Sequence, residues 1–177
     1  MKINKGVAVG LTIIAIALIC VAFRIYSINK KFPAMNVTTI PFGETTSVLG
    51  AEVTINSFKI GRPEEFSLVP QYENEYDLIV EMILYNPEDE ALTLPLSDFY
   101  LESGAWSNGL VMDYYGILNP NFRGFTILLE PKKEATILLP YLLIDSQVRQ
   151  FSDDAVKERE YKLVRIKYPN KEVFELS

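Results

Sequence analysis

From Gly6 to Phe23 the chain runs eighteen residues in which Thr12 is the one polar side chain, and beyond residue 46 its apolar positions recur every second residue. The first pattern predicts a membrane-spanning helix, the second a series of strands. At about 1.5 Å of rise per residue the apolar run covers roughly 27 Å, close to the ~30 Å hydrocarbon core of a bilayer. Ile25 and Ile28 extend it if Arg24 snorkels towards the headgroups. In the segment Tyr76 to Asn86 the even positions Tyr76, Leu78, Val80, Met82 and Leu84 are all apolar, while Asp77 and Glu81 alternate with Ile79, Ile83 and Tyr85. That is a strand with one fully buried face.

Earlier, Ala51, Val53 and Ile55 alternate with polar residues, after which the apolar series shifts to Phe58 and Ile60. The one-step slip at Asn56-Ser57 predicts a bulge. Leu92, Leu94 and Leu96 alternate next, with Pro95 on the other face, which favours a sheet edge. Further strands are expected at Phe99–Glu102, Gly109–Tyr114, Phe125–Glu130, Glu134–Leu143, Tyr161–Tyr168 and Glu172–Leu176. Turn chemistry at Asn86-Pro87-Glu88-Asp89, Glu130-Pro131-Lys132-Lys133 and Pro169-Asn170-Lys171 separates several of them. One short helix is expected after Ser152, which can cap it, with Asp153 and Asp154 in the first turn and Lys157 and Arg159 towards the other end. The expected fold is all-β: an antiparallel immunoglobulin-like β-sandwich with one short helix, preceded by a single N-terminal transmembrane helix. The divisions are 1–5, a short cytoplasmic N-terminus; 6–28, the anchor; 29–46, a linker with Pro33 and Pro41; and 47–177, the sandwich.

Charge sharpens this division. Residues 1–32 carry five basic side chains and no acid, whereas the remainder carries twelve basic and all 23 acidic residues, a net of −11. An acidic domain argues against nucleic acid and against adsorption to anionic lipid, both of which demand cationic patches. The apolar run has the basic flank and apolar centre of an export signal, but no Ala-x-Ala-like pair follows it, so an uncleaved signal anchor is expected. Lipid attachment to Cys20, the single cysteine, is the alternative; Ile19 stands where that motif needs a small residue, and the apolar run continues to Phe23. Two basic side chains before the helix and three after it leave orientation undecided by charge. A lone signal-like helix followed by about 145 residues more often exports them, so the C-terminal domain is expected to be extracytoplasmic.

The arrangement of an N-terminal anchor, a strand ending in Tyr85-Asn86-Pro87, the run Leu94-Pro95-Leu96-Ser97-Asp98-Phe99-Tyr100-Leu101, and Leu129-Glu130-Pro131-Lys132-Lys133-Glu134 leading into Ile137-Leu138-Leu139-Pro140 resembles a known family. It is similar to the uncharacterised secreted or membrane-anchored immunoglobulin-like domains of Gram-positive bacteria, some of which are lipoproteins. The likeness spans roughly residues 45–177. It implies a location and a fold, and carries no assigned chemistry.

The chain contains no histidine, which removes Ser-His-Asp triads, Cys-His dyads and His-based metal sites together. It has no Gly-rich phosphate loop and no Gly-x-Ser-x-Gly elbow, and neither a catalytic residue nor a cofactor or metal site is expected. Asp77 with Glu81, or Glu88-Asp89-Glu90, supply carboxylates for a glycosidase or a Ca²⁺ site, but acidic residues on strands and in turns are usually just solvated. The segment from Ser103 to Phe125 is least like scaffold. It sets Trp106, Met112, Tyr114, Tyr115 and Phe122 among glycines and asparagines, a mixture that suits a binding surface on adaptable loops and suits better a plug for the open end of a sandwich. The expected function is a non-enzymatic, membrane-anchored module that binds a protein, peptide or cell-envelope component. The alternatives are an accessory subunit of a membrane complex and, last, a carboxylate-based glycosidase.

Overall fold

The computed structural model describes residues 5–69, 74–122, 124–148 and 151–176. The chain divides into two compact units, Met1–Asn36 and Val37–Ser177.

The first unit is built on α1, Lys5–Lys31. Lys30 and Lys31 sit where the negative end of the helix dipole favours them. Pro33 disfavours helical geometry at the residue before it, and the helix stops two residues earlier. Its large apolar side chains, Ile19 at 68% and Phe23 at 70% among them, are exposed to the surroundings. Among the described residues, Ile13–Lys31 is the one stretch of helix long and apolar enough to cross a membrane.

The second unit is a β-sandwich. Its strands are β1 (Asn36–Ile40), β2 (Thr45–Val48), β3 (Ala51–Gly61), β4 (Asn74–Tyr85), β5 (Leu92–Pro95), β6 (Phe99–Ser103), β7 (Trp106–Gly109), β8 (Thr126–Leu129), β9 (Glu134–Ile144), β10 (Lys162–Lys167) and β11 (Asn170–Glu175). They form a five-stranded sheet in the order β1-β11-β10-β6-β7, a four-stranded sheet in the order β2-β3-β4-β9, and a two-stranded sheet of β5 and β8. The pairings of β3 with β4, β4 with β9, and β10 with β6 and β11 are all antiparallel.

Period-two patterning explains the layers. Tyr76, Leu78, Val80, Met82 and Leu84 of β4 are at most 2% exposed and pack with Val53 and Ile55 of β3 and with Ile137, Leu139 and Tyr141 of β9. Phe99 and Leu101 of β6, Leu163 of β10 and Phe174 complete the core from the facing sheet. The ladder between β3 and β4 shifts register between Ile55 and Ser57, which is the bulge expected at Asn56-Ser57. The turn after β4 is held by Asn86, fully buried, whose Nδ2 donates to the carbonyls of Glu90 (2.8 Å) and Leu129 (2.9 Å) while its Oδ1 accepts from the Glu88 amide (2.9 Å).

Three expectations need correction. The stretch 29–46 was expected to be a linker, but it carries β1 and the start of β2; β1 has almost no buried side chain, so no hydrophobic period marked it. The strand expected at Gly109–Tyr114 is instead the end of β7 followed by α2, Met112–Leu118. Two further short helices, α3 (Asp145–Val148) and α4 (Asp153–Lys157), stand where one was expected. In α4 the Ser152 hydroxyl accepts from the Ala155 amide at 3.3 Å, as its capping role predicts.

Candidate functional site

The segment that carries the predicted surface residues lies along the free edge of β9. Edge strands expose unpaired backbone groups, and here several of the outward groups find partners outside the sheet. Asn119, 5% exposed, donates from Nδ2 to the Leu138 carbonyl at 2.8 Å and accepts the Leu138 amide on Oδ1 at 2.8 Å, replacing one residue of a neighbouring strand. Two residues on, Pro140 has no amide to satisfy, and its carbonyl accepts from the Val111 amide at 3.0 Å. The Leu142 carbonyl accepts from Asn108 Nδ2, and the Ile144 amide donates to Gln147 Oε1 at 3.2 Å. Asn108 and Gln147 also exchange a reciprocal pair of amide hydrogen bonds, each 2.9 Å.

The five predicted residues therefore fall in different environments. Tyr114 and Tyr115 are fully buried: Tyr114 joins a small cluster with Leu68 and Ile79 on the outer face of the four-stranded sheet, and Tyr115 belongs to the main core. Burial pushes the Tyr115 phenol above its ordinary range, and its hydroxyl has no hydrogen-bond partner. Phe122 is half-buried against the core, and Met112 is 38% exposed. Trp106 is half-buried beside Tyr161, with ring centroids 6.2 Å apart. These five residues do not form one surface.

Two clefts flank this segment. One, of about 270 Å³, is apolar and lies on the outer face of the four-stranded sheet, with Phe66, Ile79, Leu118 and Leu138 as its floor and Lys59 and Glu81 at its rim. The other, of about 420 Å³, is polar and lies at the turn between β6 and β7, lined by Glu102, Ser103, Gly104, Arg159, Glu160 and Lys162. Gly104 has a φ of +58°, and a Cβ there would sit 3.1 Å from Arg159 Nη2, so both the turn and the approach of the guanidinium favour glycine.

Arg159 organises the polar cleft. Its Nε donates to Ser103 Oγ at 2.6 Å, and that hydroxyl donates to the Glu160 carbonyl at 2.7 Å. Its guanidinium lies 5.7 Å from the Trp106 ring centre and 4.9 Å from that of Phe151, within cation–π range of both. Burial raises the Tyr161 phenol pKa, partly offset by the positive charge of Arg159. The other cations here are paired: Lys162 with Glu160 at 2.8 Å and Lys171 with Glu102 at 2.6 Å. Among the described residues, no carboxylate lies within ion-pairing distance of Arg159. Sequence pattern singles out Trp106 among the candidate surface residues and leaves Arg159 a helix-end role, because Ser103, Trp106, Phe151 and Arg159 meet through tertiary packing.

The carboxylates singled out in the sequence do not pair into a site. Asp77 is buried, whereas Glu81 accepts from Asn56 Nδ2 at the rim of the apolar cleft. Asp89 is exposed and ion-paired with Lys132 at 3.1 Å. Among the described residues no three His, Cys, Asp or Glu side chains are grouped as metal ligands.

Fold and site together define a β-sandwich protein with an N-terminal apolar helix. Residues 36–172 match the family described as Domain of unknown function (DUF5028), and the chain belongs to it. Comparison with curated proteins gives no match. Among solved structures the chain is similar to the yjhA protein from Bacillus subtilis, at 18% identity over 71% of this chain and 80% of that one, with a TM-score of 0.46. It is also similar to an uncharacterized beta-sandwich protein from Clostridium difficile 630, at 12% identity, 81% and 96% coverage and a TM-score of 0.46. A functionally unknown protein from Listeria monocytogenes EGD-e matches at 13% identity, 69% and 71% coverage and a TM-score of 0.47.

Proposed function

We propose that this protein is a non-enzymatic module, held in the membrane by α1, whose β-sandwich lies outside the cytoplasm and binds a protein, peptide or cell-envelope component. The observation that carries the reading is α1: 27 residues with no acidic side chain in the first turn, apolar and exposed from Ile13 to Ile28, immediately N-terminal to the sandwich unit. An exposed surface of this kind is costly in water and favourable in lipid.

Absence of enzymatic activity is supported by the residue inventory and by spacing. With no histidine, hydrolysis would rest on carboxylates. Asp77 and Glu81 are four residues apart on β4, which places their Cα atoms about 13 Å from one another, beyond the ~9.5 Å limit between the carboxyl groups of inverting glycosidases. Binding is supported by the polar cleft, which is lined by the Arg159 guanidinium, itself held against two aromatic rings.

Photo-crosslinking on intact cells, followed by identification of captured molecules, tests the proposal. Specific capture of an envelope or extracytoplasmic partner is expected. Capture of cytoplasmic proteins alone would overturn it.

A further inference from the structure

We propose that the cleft at Arg159 is a receptor for a single carboxylate group carried by a peptide, whose adjoining residues lie over the exposed turn between β6 and β7. The inference rests on the reading of the domain as a binding module and names the chemistry that module recognises.

Three observations converge on this ligand. The guanidinium is oriented in advance: Ser103 holds Nε, and the Trp106 and Phe151 rings restrict it from the side. Orientation lowers the entropy lost on binding, and with Nε occupied the two terminal nitrogens remain for a planar, two-oxygen acceptor. The charge balance of the cleft selects a monoanion. Lys162 and Lys171 are ion-paired with Glu160 and Glu102, and Glu175 lies opposite Lys162, so among the described residues Arg159 is the lining cation that has no ion-pair partner. A carboxylate cancels its charge, whereas a phosphate dianion would add a charge beside two glutamates on a domain that is already acidic. Finally, the cleft opens at the turn between β6 and β7, whose Gly104 and Ala105 are exposed, so a carboxylate borne by a peptide can reach the guanidinium from solvent.

The structure also supplies its own reporter. Trp106 is the one tryptophan of the chain and stands beside Arg159, so its fluorescence reports this cleft alone. The experiment uses the full chain in uncharged detergent micelles, titrated at constant ionic strength with an acetylated dipeptide bearing a free C-terminal carboxylate, with the same dipeptide amidated, and with inorganic phosphate. A saturable fluorescence change is expected with the free acid, and at least about tenfold weaker binding with the amide and with phosphate, the factor expected from losing a charge-assisted hydrogen bond. Arg159→Gln should abolish saturation, and Arg159→Lys should weaken it, while Lys157→Gln on α4 leaves it unchanged; far-UV circular dichroism checks that each variant is folded. Equal binding of acid and amide, tighter binding of phosphate, or saturation that survives Arg159→Gln would each overturn the proposal. Carboxylate binding without capture of any envelope partner on cells would sink the cellular reading and leave this one standing; capture that persists in Arg159→Gln would do the reverse.

Discussion

Replacing Asn119 by alanine removes the side chain that completes the edge of β9. Three hydrogen bonds go: Nδ2 to the Leu138 carbonyl at 2.8 Å, Nδ2 to the Tyr115 carbonyl at 3.0 Å, and the Leu138 amide to Oδ1 at 2.8 Å. The Tyr115 carbonyl keeps a partner, because the Asn119 main-chain amide also donates to it at 2.9 Å. The two Leu138 groups lose theirs, and an orphaned buried polar group costs about 1–3 kcal/mol. Leu138 is half-buried, so water reaches it in part and the lower half of that range applies to each group, about 2–4 kcal/mol in all. The assay is urea unfolding of the full chain in uncharged micelles, followed by Trp106 fluorescence. With a slope of about 2 kcal/mol/M the midpoint should fall by about 1–2 M at unchanged slope. A fall below about 0.3 M would refute the view that this asparagine takes the place of a missing strand.

Tyr115→Phe removes a buried hydroxyl that has no partner, so stability should stay level or rise by up to about 1 kcal/mol in the same unfolding assay; a loss above about 1 kcal/mol would show that the hydroxyl is bonded. Arg165, 4% exposed, pairs with Glu172 at 2.8 Å and with Asp98 at 4.0 Å; Glu172→Gln should therefore cost about 2 kcal/mol, short of the ~3–5 kcal/mol of a fully orphaned charge, with the urea midpoint as readout. The hydrogen bond from Tyr76, then the charges of Arg62 and Lys157, hold the Asp153 carboxyl below the usual range. A depressed folded pKa gives stabilisation that is present above the unfolded pKa and fades as pH falls through the folded one. Tyr76→Phe should raise the Asp153 pKa towards its ordinary value in a carbon-detected NMR titration and reduce the acid-side loss of stability; an unmoved titration would count against that hydrogen bond.

Legibility in the sequence followed from how each element is stabilised. β4 buries one whole face, so Tyr76, Leu78, Val80, Met82 and Leu84 announced it; the slip from Ile55 to Phe58 likewise announced the bulge. α2 was misread because Leu110, Met112 and Tyr114 happen to alternate. The helical spacing was nonetheless present in Val111, Tyr114, Tyr115 and Leu118, which pack inward while Met112 and Asp113 face out. β1 had no apolar signal to read, because its place in the sheet depends on pairing with β11. The Arg159 cleft joins residues from β6, β7 and the chain after α3, and a contact of that range leaves no local pattern.

The central claim is that α1 holds an extracytoplasmic sandwich in the membrane. Alkaline carbonate extraction combined with external protease on intact cells tests it most directly, with Cys20→Ser and Leu18→Asp in parallel. An aspartate at the helix centre opposes insertion by roughly 2.5–3.5 kcal/mol. The account predicts that the chain resists extraction, that protease removes the sandwich from intact cells, that Cys20→Ser changes neither result and that Leu18→Asp abolishes retention. Release by carbonate, or a sandwich fully protected until the cells are lysed, would contradict it.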